Sequence, residues 1–140
     1  ELAVMEKTHF LDGAVDMVKE LHRRGIELLI VSSNSTKMIK AALKREGIEN
    51  CFAHVMGRPI PFDPDKLKPS PYPIEIALRK CKNEKRYCWY VGDDTVDIDS
   101  AKACGIISLG VASGKFTAEE LERHGADKVI ATFKDIISLL

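Results

Sequence analysis

The 140-residue sequence has no net charge and no apolar run of membrane-spanning length. Its 21 basic and 21 acidic residues balance, so the composition offers no electrostatic basis for binding nucleic acid or a membrane surface. A transmembrane helix needs about 18 or more consecutive apolar residues, which the sequence does not contain. We therefore expect neither nucleic acid nor a membrane as a partner.

Cysteine and histidine are sparse, and neither follows the spacing of a metal site. The four cysteines and four histidines are Cys51, Cys81, Cys88, Cys104, His9, His22, His54 and His124. No pair of cysteines forms a Cys-x-x-Cys motif, which argues against a zinc site or a redox pair of that type. Buried, reduced thiols are the simplest interpretation, and they predict a cytoplasmic protein.

Short apolar runs that suit strands alternate with amphipathic patterns that suit helices. Strands are predicted over 27–31, 52–56, 88–91, 106–111 and 128–130, and helices over 13–24, 35–46, 73–81, 96–104, 117–125 and from 132 onward. Nearly continuous apolar strands separated by helices predict a mostly parallel sheet covered on both faces. The expected fold is a Rossmann-like, three-layer α/β/α domain.

An acidic cluster follows the predicted strand at 88–91. Asp93, Asp94 and Asp97 lie within five positions, where Gly92 ends the strand and a helix begins. Ligands bind at such strand ends, and three crowded carboxylates repel one another unless a cation or a lysine lies among them. Oxygen ligands of this kind suit Mg²⁺. An acidic helix cap explains the cluster equally well at this point.

Two further loops carry groups that could bind an anion. The loop after the strand at 27–31 begins with Ser32 and Ser33, and hydroxyls at a helix N-terminus can hold phosphate. An ordinary polar turn with Ser35 as the cap is the stronger interpretation of that loop alone. Lys68, in the proline-rich segment before the helix at 73–81, could reach a phosphate, although it could equally be a solvated surface lysine.

Taken together, these loops resemble the motifs of the haloacid dehalogenase (HAD) superfamily of aspartate-dependent phosphatases. The stretch 28–32 looks like its second motif, 68–71 like its third, and 91–97 like its fourth. The stretch 125–130 is similar to the phosphoglycolate phosphatase-like branch. The resemblance implies a HAD-like core that hydrolyses a phosphomonoester of a small phosphorylated metabolite.

The resemblance also implies a role for each group. Ser32 and the N–H of Ser33 would bind the phosphoryl oxygens, and Lys68 would neutralise their charge as a catalytic residue. Asp97 would be the second catalytic residue, orienting Lys68 or a metal-bound water.

The same family uses Mg²⁺ as its cofactor, and the acidic cluster would supply the protein ligands. Asp93 is expected to be the main ligand, because it directly follows the strand-ending Gly92. Asp94 is the second candidate ligand, with helix capping as its alternative role. Whether Asp94 or Asp97 touches the metal directly stays open.

One motif of the family is absent. The first motif, Asp-x-Asp-Gly-Thr, carries the nucleophile, and Asp12 does not replace it because Gly13 already begins the next helix. We therefore expect residues 1–12 to be the tail of an N-terminal or cap segment and residues 13–140 to be the C-terminal part of the core. The rest of the same protein would supply both the nucleophile and the central strand, since Leu2–Met5 is short and lacks an acidic end.

Other functions stay open on the sequence. Within the family, the chain could be a dehalogenase or a phosphomutase, although dehalogenases need no metal and the acidic cluster with Lys68 favours the phosphatase. From another class, it could be a non-catalytic HAD-like or receiver-like module that binds phosphate. A receiver-type domain would carry its acidic pair near the start of the sequence rather than near residue 93.

Overall fold

A six-stranded parallel sheet forms the centre of the protein. The computed structural model describes residues 2–5, 13–58, 61 and 63–140. The strands are β1 (Leu2–Met5), β2 (Glu27–Val31), β3 (Phe52–Met56), β4 (Cys88–Gly92), β5 (Ile107–Val111) and β6 (Lys128–Ile130). They lie in the order β3-β2-β1-β4-β5-β6, and every neighbouring pair is parallel. This arrangement confirms the predicted α/β Rossmann-like fold.

The helices follow the predicted pattern to within a residue or two at most ends. They are α1 (Ala14–Arg23), α2 (Thr36–Arg45), α3 (Tyr72–Lys80), α4 (Thr95–Cys104) and α5 (Ala118–Arg123). Ser35 caps α2 by accepting a hydrogen bond from the Met38 N–H (3.2 Å). The last helix, Phe133–Leu139, is a 3₁₀ helix. Among the described residues, no helix is both long and apolar enough to cross a bilayer.

The central strand corrects one expectation. The place between β2 and β4 is filled by β1, whose Ala3 lies opposite Leu28 on one side and Trp89 on the other. The prediction that a segment before residue 1 would supply this strand is therefore wrong, and the division of the chain at residue 12 stays a prediction. Four apolar residues are enough to form the central strand, because the backbone groups on the facing edges of β2 and β4 need hydrogen-bond partners between them. Residues 6–12, including Asp12, lie outside the described residues.

Both faces of the sheet are covered, as the apolar strands predicted. In β2, Leu28 and Ile30 pack in a core with the apolar side chains of α1 and α2. The alternate residues Leu29 and Val31 pack on the other face with those of α3 and α4. Because successive strand residues point to opposite faces, a strand buried on both faces must be apolar throughout. A functional site can therefore form in the polar loops at the carboxyl edge of the sheet.

The four cysteines are free thiols with two different environments. Cys88 and Cys104 are buried as predicted, whereas Cys51 and Cys81 are half-buried. Burial raises the pKa of Cys88 to about 12, with a further contribution from the neighbouring Cys81 thiol. Burial also raises the pKa of Cys104.

This difference predicts an order of chemical labelling. At pH 8 the native protein should react with iodoacetamide first at Cys51 and Cys81, because only the thiolate is nucleophilic and Cys88 stays protonated. Mass spectrometry of tryptic peptides after timed labelling measures each site. Urea-denatured protein, in which all four thiols should label at similar rates, is the control. Fast labelling of Cys88 in the native protein would contradict its buried, protonated state.

Candidate active site

Ser32 begins the loop that follows β2 at the carboxyl edge of the sheet. Its side chain is buried, and its backbone N–H donates to the Met56 carbonyl at the end of β3 (2.9 Å). The Ser32 hydroxyl accepts a hydrogen bond from the Asn34 N–H (3.1 Å), which orients the oxygen. Ser33 is exposed at the start of the same loop. The loop therefore presents one fixed hydroxyl and one accessible residue, just before the N-terminus of α2.

Lys68 and Asp97 form a buried ion pair. The Lys68 Nζ lies 2.7 Å from Asp97 Oδ1, and the two side chains are 3% and 0% exposed. The same ammonium donates to the Tyr90 hydroxyl at 3.3 Å. The segment before α3 is thereby tied to the first turn of α4 and to β4. The predicted contact between Lys68 and Asp97 is present, while the catalytic roles of both residues stay predictions.

Burial changes the acidity of this group of side chains. It lowers the pKa of Lys68, although the Asp97 carboxylate opposes that effect through its charge and its hydrogen bond. Burial also raises the pKa of Tyr90 well above its usual range, and the charge of Asp97 acts in the same direction. Tyr90 therefore stays a neutral hydroxyl beside the ammonium. A charge held in such a poorly solvated place acts strongly on an anion brought next to it.

Asp97 is fixed through both carboxylate oxygens. Its Oδ1 accepts from Lys68, and its Oδ2 accepts from the backbone N–H of Asp94 at 3.1 Å. Gly92 permits this approach, because a Cβ at that position would lie only 2.3 Å from Asp97 Oδ2. Both oxygens of Asp97 are engaged within the protein, which favours the orienting role over direct metal contact.

Asp94 acts as the N-cap of α4. Its Oδ1 accepts from the Val96 N–H at 3.1 Å, and its Oδ2 lies 2.5 Å from the Lys115 Nζ. Burial acts to raise the pKa of Asp94, but the hydrogen bonds from Lys115 and the Val96 N–H outweigh it and lower the pKa. The geometry therefore favours the capping role that the sequence had left open.

Lys115 was missed by the sequence interpretation. It lies in the loop between β5 and α5, and its hydrogen bond with Asp94 raises its own pKa. Its position just after a predicted strand was the available signal, because the carboxyl ends of parallel strands meet at one edge.

Asp93 is the carboxylate predicted to be the main metal ligand. It is 4% exposed and lies between the strand-ending Gly92 and the helix cap Asp94. In the part of the chain that the structure describes, no three His, Cys, Asp or Glu side chains are grouped so as to hold a metal ion. One carboxylate nevertheless fits Mg²⁺, which takes one or two from the protein and fills its remaining positions with waters and phosphate oxygens.

The three residues predicted to bind phosphate line one cavity. Ser32, Ser33 and Lys68 border a space of about 430 Å³ that also reaches α3 and the end of β3. Asp93, Asp94 and Asp97 do not line this space, and Asp97 is connected to it through its ion pair with Lys68. Two hydroxyl-bearing residues and one buried ammonium at a helix N-terminus form a chemically suitable anion site.

Known proteins share this sequence pattern. Residues 1–111 match the family model described as haloacid dehalogenase-like hydrolase. The pyrophosphatase PpaX of Bacillus pumilus is 29% identical over 129 residues, which cover 92% of this chain and 58% of that protein. The phosphoglycolate phosphatase of Colwellia psychrerythraea is 27% identical over 126 residues, or 90% and 54% of the two chains. The chain thus spans a little over half the length of these curated relatives.

Solved structures share the fold. A hydrolase from Pseudomonas syringae superimposes with a TM-score of 0.76 at 25% identity, covering 92% of this chain and 58% of that one. The hydrolase YfnB of Bacillus subtilis, solved bound to magnesium, gives a TM-score of 0.78 at 17% identity, with 95% and 57% of the two chains covered.

Proposed function

The chain belongs to the haloacid dehalogenase-like hydrolases, and on that basis we propose that its protein is a Mg²⁺-dependent phosphomonoesterase acting on a small phosphorylated metabolite in the cytoplasm. The observation that carries the proposal is the buried Lys68–Asp97 pair, whose lysine lines the same cavity as Ser32 and Ser33. The names of the relatives, a pyrophosphatase and phosphoglycolate phosphatases, support phosphate chemistry.

The residues of this chain would bind and stabilise the transferring phosphoryl group. The Ser32 hydroxyl and the Ser33 N–H would donate to its oxygens, and Lys68 would balance its negative charge. Asp97 would keep the Lys68 ammonium aimed at the cavity, since it holds that group at 2.7 Å. Phosphoryl transfer depends mostly on such positioning and charge stabilisation.

Asp93 would hold the Mg²⁺ ion in this proposal. When bound, the ion would supply positive charge that polarises the phosphoryl oxygens. Asp94 and Asp97 are engaged in the helix cap and in ion pairs. The carboxylate that attacks the phosphoryl group is therefore proposed to lie elsewhere in the same protein, outside the acidic cluster. An N-terminal or cap segment of that protein would close the site.

A second candidate function is phosphate binding without turnover. It rests on the cavity lined by Ser32, Ser33 and Lys68 and needs no attacking carboxylate. The two candidates differ in one measurement, the release of inorganic phosphate from phosphomonoesters in the presence of Mg²⁺.

Lys68→Met provides the mutational test of the proposal, because it keeps most of the aliphatic stem and removes the charge. In the full-length protein we expect it to raise KM and to lower kcat together, with kcat/KM reduced by about 10²- to 10³-fold. Lys44→Met, at an exposed position near the end of α2, is the matched control and should leave both parameters unchanged. Wild-type kinetics in Lys68→Met, with the fold retained by circular dichroism, would refute the assigned role.

A further inference from the structure

We infer that Ser100, on α4, is a positioning residue for Lys68 and acts through the backbone carbonyl of Ser70. This inference rests on the proposed function, in which the Lys68 ammonium balances the charge of the phosphoryl group. The Ser100 hydroxyl donates a hydrogen bond to the Ser70 carbonyl at 2.6 Å, between residues 30 positions apart in the chain. Ser70 follows Lys68 by two residues, so this bond fixes the backbone from which the lysine side chain extends.

The proline-rich segment that contains Ser70 has few backbone donors of its own. Pro69 and Pro71 lack an N–H, so the segment cannot join the hydrogen-bond ladder of a strand at those positions. The Ser70 N–H donates to the Leu67 carbonyl at 2.9 Å, which closes a local turn. Within the residues that the structure describes, the Ser70 carbonyl accepts a hydrogen bond from the Ser100 hydroxyl alone. The attachment of this part of the segment to the helix therefore depends on one side chain.

Ser100 lies on the face of α4 that also carries Asp97. The two residues are three positions apart, a spacing that makes them neighbours on a helix surface, and both are fully buried. A serine within a helix often donates its hydroxyl to a carbonyl of the preceding turn, whereas Ser100 donates to another segment. Cys104, four positions further on, donates from its Sγ to the Pro71 carbonyl at 3.3 Å. One face of α4 therefore holds the Lys68 segment through three side chains.

The contacts with α4 fix different parts of the lysine. Asp97 holds the Lys68 Nζ at 2.7 Å, and Ser100 holds the backbone two residues later. The lysine side chain is a flexible four-carbon stem, so an ion pair at its tip leaves the backbone behind it free to shift. Leu67, Lys68 and Tyr72 all line the cavity. A shift of this backbone would therefore change the placement of the ammonium relative to a bound phosphoryl group.

Ser100→Ala in the full-length protein should lower kcat/KM for a phosphomonoester about tenfold, with a higher KM and a lower kcat. The decrease should be smaller than that caused by Lys68→Met, because the ammonium is kept and only its placement is relaxed. Phosphate release in the presence of Mg²⁺ measures both parameters. A kcat/KM within about twofold of the wild-type value, in folded protein, would overturn the inference.

A second background separates positioning from a general structural effect. If Ser100 acts through Lys68, then Ser100→Ala should change kcat/KM by less than about twofold in protein that already carries Lys68→Met. A serine that serves only the stability of the fold would lower activity by a similar factor in both backgrounds. Equal decreases in the two backgrounds would therefore reject the positioning role.

Ser108→Ala is the matched control for removing a buried hydroxyl. Ser108, in β5, is also fully buried, and its hydroxyl forms hydrogen bonds with Asp127. Both alanine variants should lower the urea concentration at the midpoint of unfolding, but only Ser100→Ala should change kcat/KM. Ser100→Cys keeps a weak donor and should give a kcat/KM between those of the wild type and Ser100→Ala. An equal kinetic change in Ser108→Ala would overturn the inference.

Binding of inorganic phosphate distinguishes failure of this inference from failure of the proposed function. Isothermal titration should show the phosphate affinity falling about three- to tenfold in Ser100→Ala, and staying unchanged when the same substitution is added to Lys68→Met. That result without any hydrolysis would support the role of Ser100 and reject the phosphatase. Hydrolysis by the wild type, with equal effects of Ser100→Ala in both backgrounds, would support the phosphatase and overturn the role of Ser100. A protein that neither binds nor releases phosphate would contradict both.

Discussion

Asp93→Asn in the full-length protein is expected to lower kcat/KM for a phosphomonoester by about 10²- to 10³-fold, through weaker Mg²⁺ binding. Asparagine keeps the size of the side chain and removes its charge. The buried position of Asp93 at the end of β4 means that water replaces this charge poorly. Phosphate release measured across a range of Mg²⁺ concentrations should show a higher Mg²⁺ requirement as well as a lower rate.

Asp94→Asn is the matched control for that substitution. Asparagine is a good N-cap, so α4 should keep its first turn, and the main loss is the ion pair with the half-exposed Lys115. We expect its effect on kcat/KM to stay below about tenfold, because an exposed ion pair contributes little. Small and equal effects of the two substitutions would reduce the acidic cluster to a helix cap and reject Asp93 as a metal ligand.

Asp97→Asn should lower the free energy of unfolding by about 3–5 kcal/mol at pH 7. The substitution leaves the Lys68 ammonium buried without its counter-charge, since the wild-type pair is 3% and 0% exposed. Asparagine can still accept the hydrogen bond from the Asp94 N–H, so the decrease in stability comes mainly from removing the negative charge. Urea denaturation of the chain, followed by circular dichroism, measures the change directly.

The decrease in stability caused by Asp97→Asn should depend on pH in a defined direction. Burial lowers the pKa of Lys68 in the folded protein below its ordinary value of 10.5. Between the lowered pKa and 10.5, the unfolded state binds more protons, so stability from this group rises with pH. Without the Asp97 charge, which opposes the lowering, the pKa of Lys68 should fall further in Asp97→Asn. The destabilisation should therefore shrink as the pH is raised from the Lys68 pKa of the variant to that of the folded wild-type protein, and stay constant above it.

Asp99→Asn is the control for this stability experiment. Asp99 lies on the same helix, but its partner His124, at 3.0 Å, and the carboxylate itself are both well exposed. Removing such a pair should change stability by less than about 1 kcal/mol. If Asp97→Asn lowered the free energy of unfolding no more than Asp99→Asn does, the result would contradict a stabilising buried ion pair between Lys68 and Asp97.

Local physics explains why most elements were predictable. The strands over 27–31, 52–56 and 128–130 were predicted with the bounds that the structure has, because short apolar, β-prone runs favour strands. Ser35 and Thr117 cap their helices as predicted, since a cap depends on groups only three residues apart. The last helix was placed correctly, but its 3₁₀ character depends on hydrogen-bond spacing that the pattern does not show.

The sequence by itself determined which groups gather at the carboxyl edge, because parallel strands bring the loops that follow them to one side of the sheet. Ser32, Ser33, Lys68 and the acidic cluster were identified on that basis, together with the family resemblance. The sequence determined the role of each residue less well than its location. On the sequence, Asp94 could be a helix cap or a metal ligand, and its contacts with Val96 and Lys115 favour the cap.

Only the tertiary structure decided the remaining features, because each depends on residues far apart in the chain. Leu2–Met5 is a short run without caps, and its place follows from the backbone bonds that β2 and β4 both offer it. Lys115 reaches Asp94 only because β4 and β5 are neighbours. Lys80 shares a cavity with Ser32 only because α3 packs beside β2 and β3. Packing between elements sets such distances, and no local pattern encodes them.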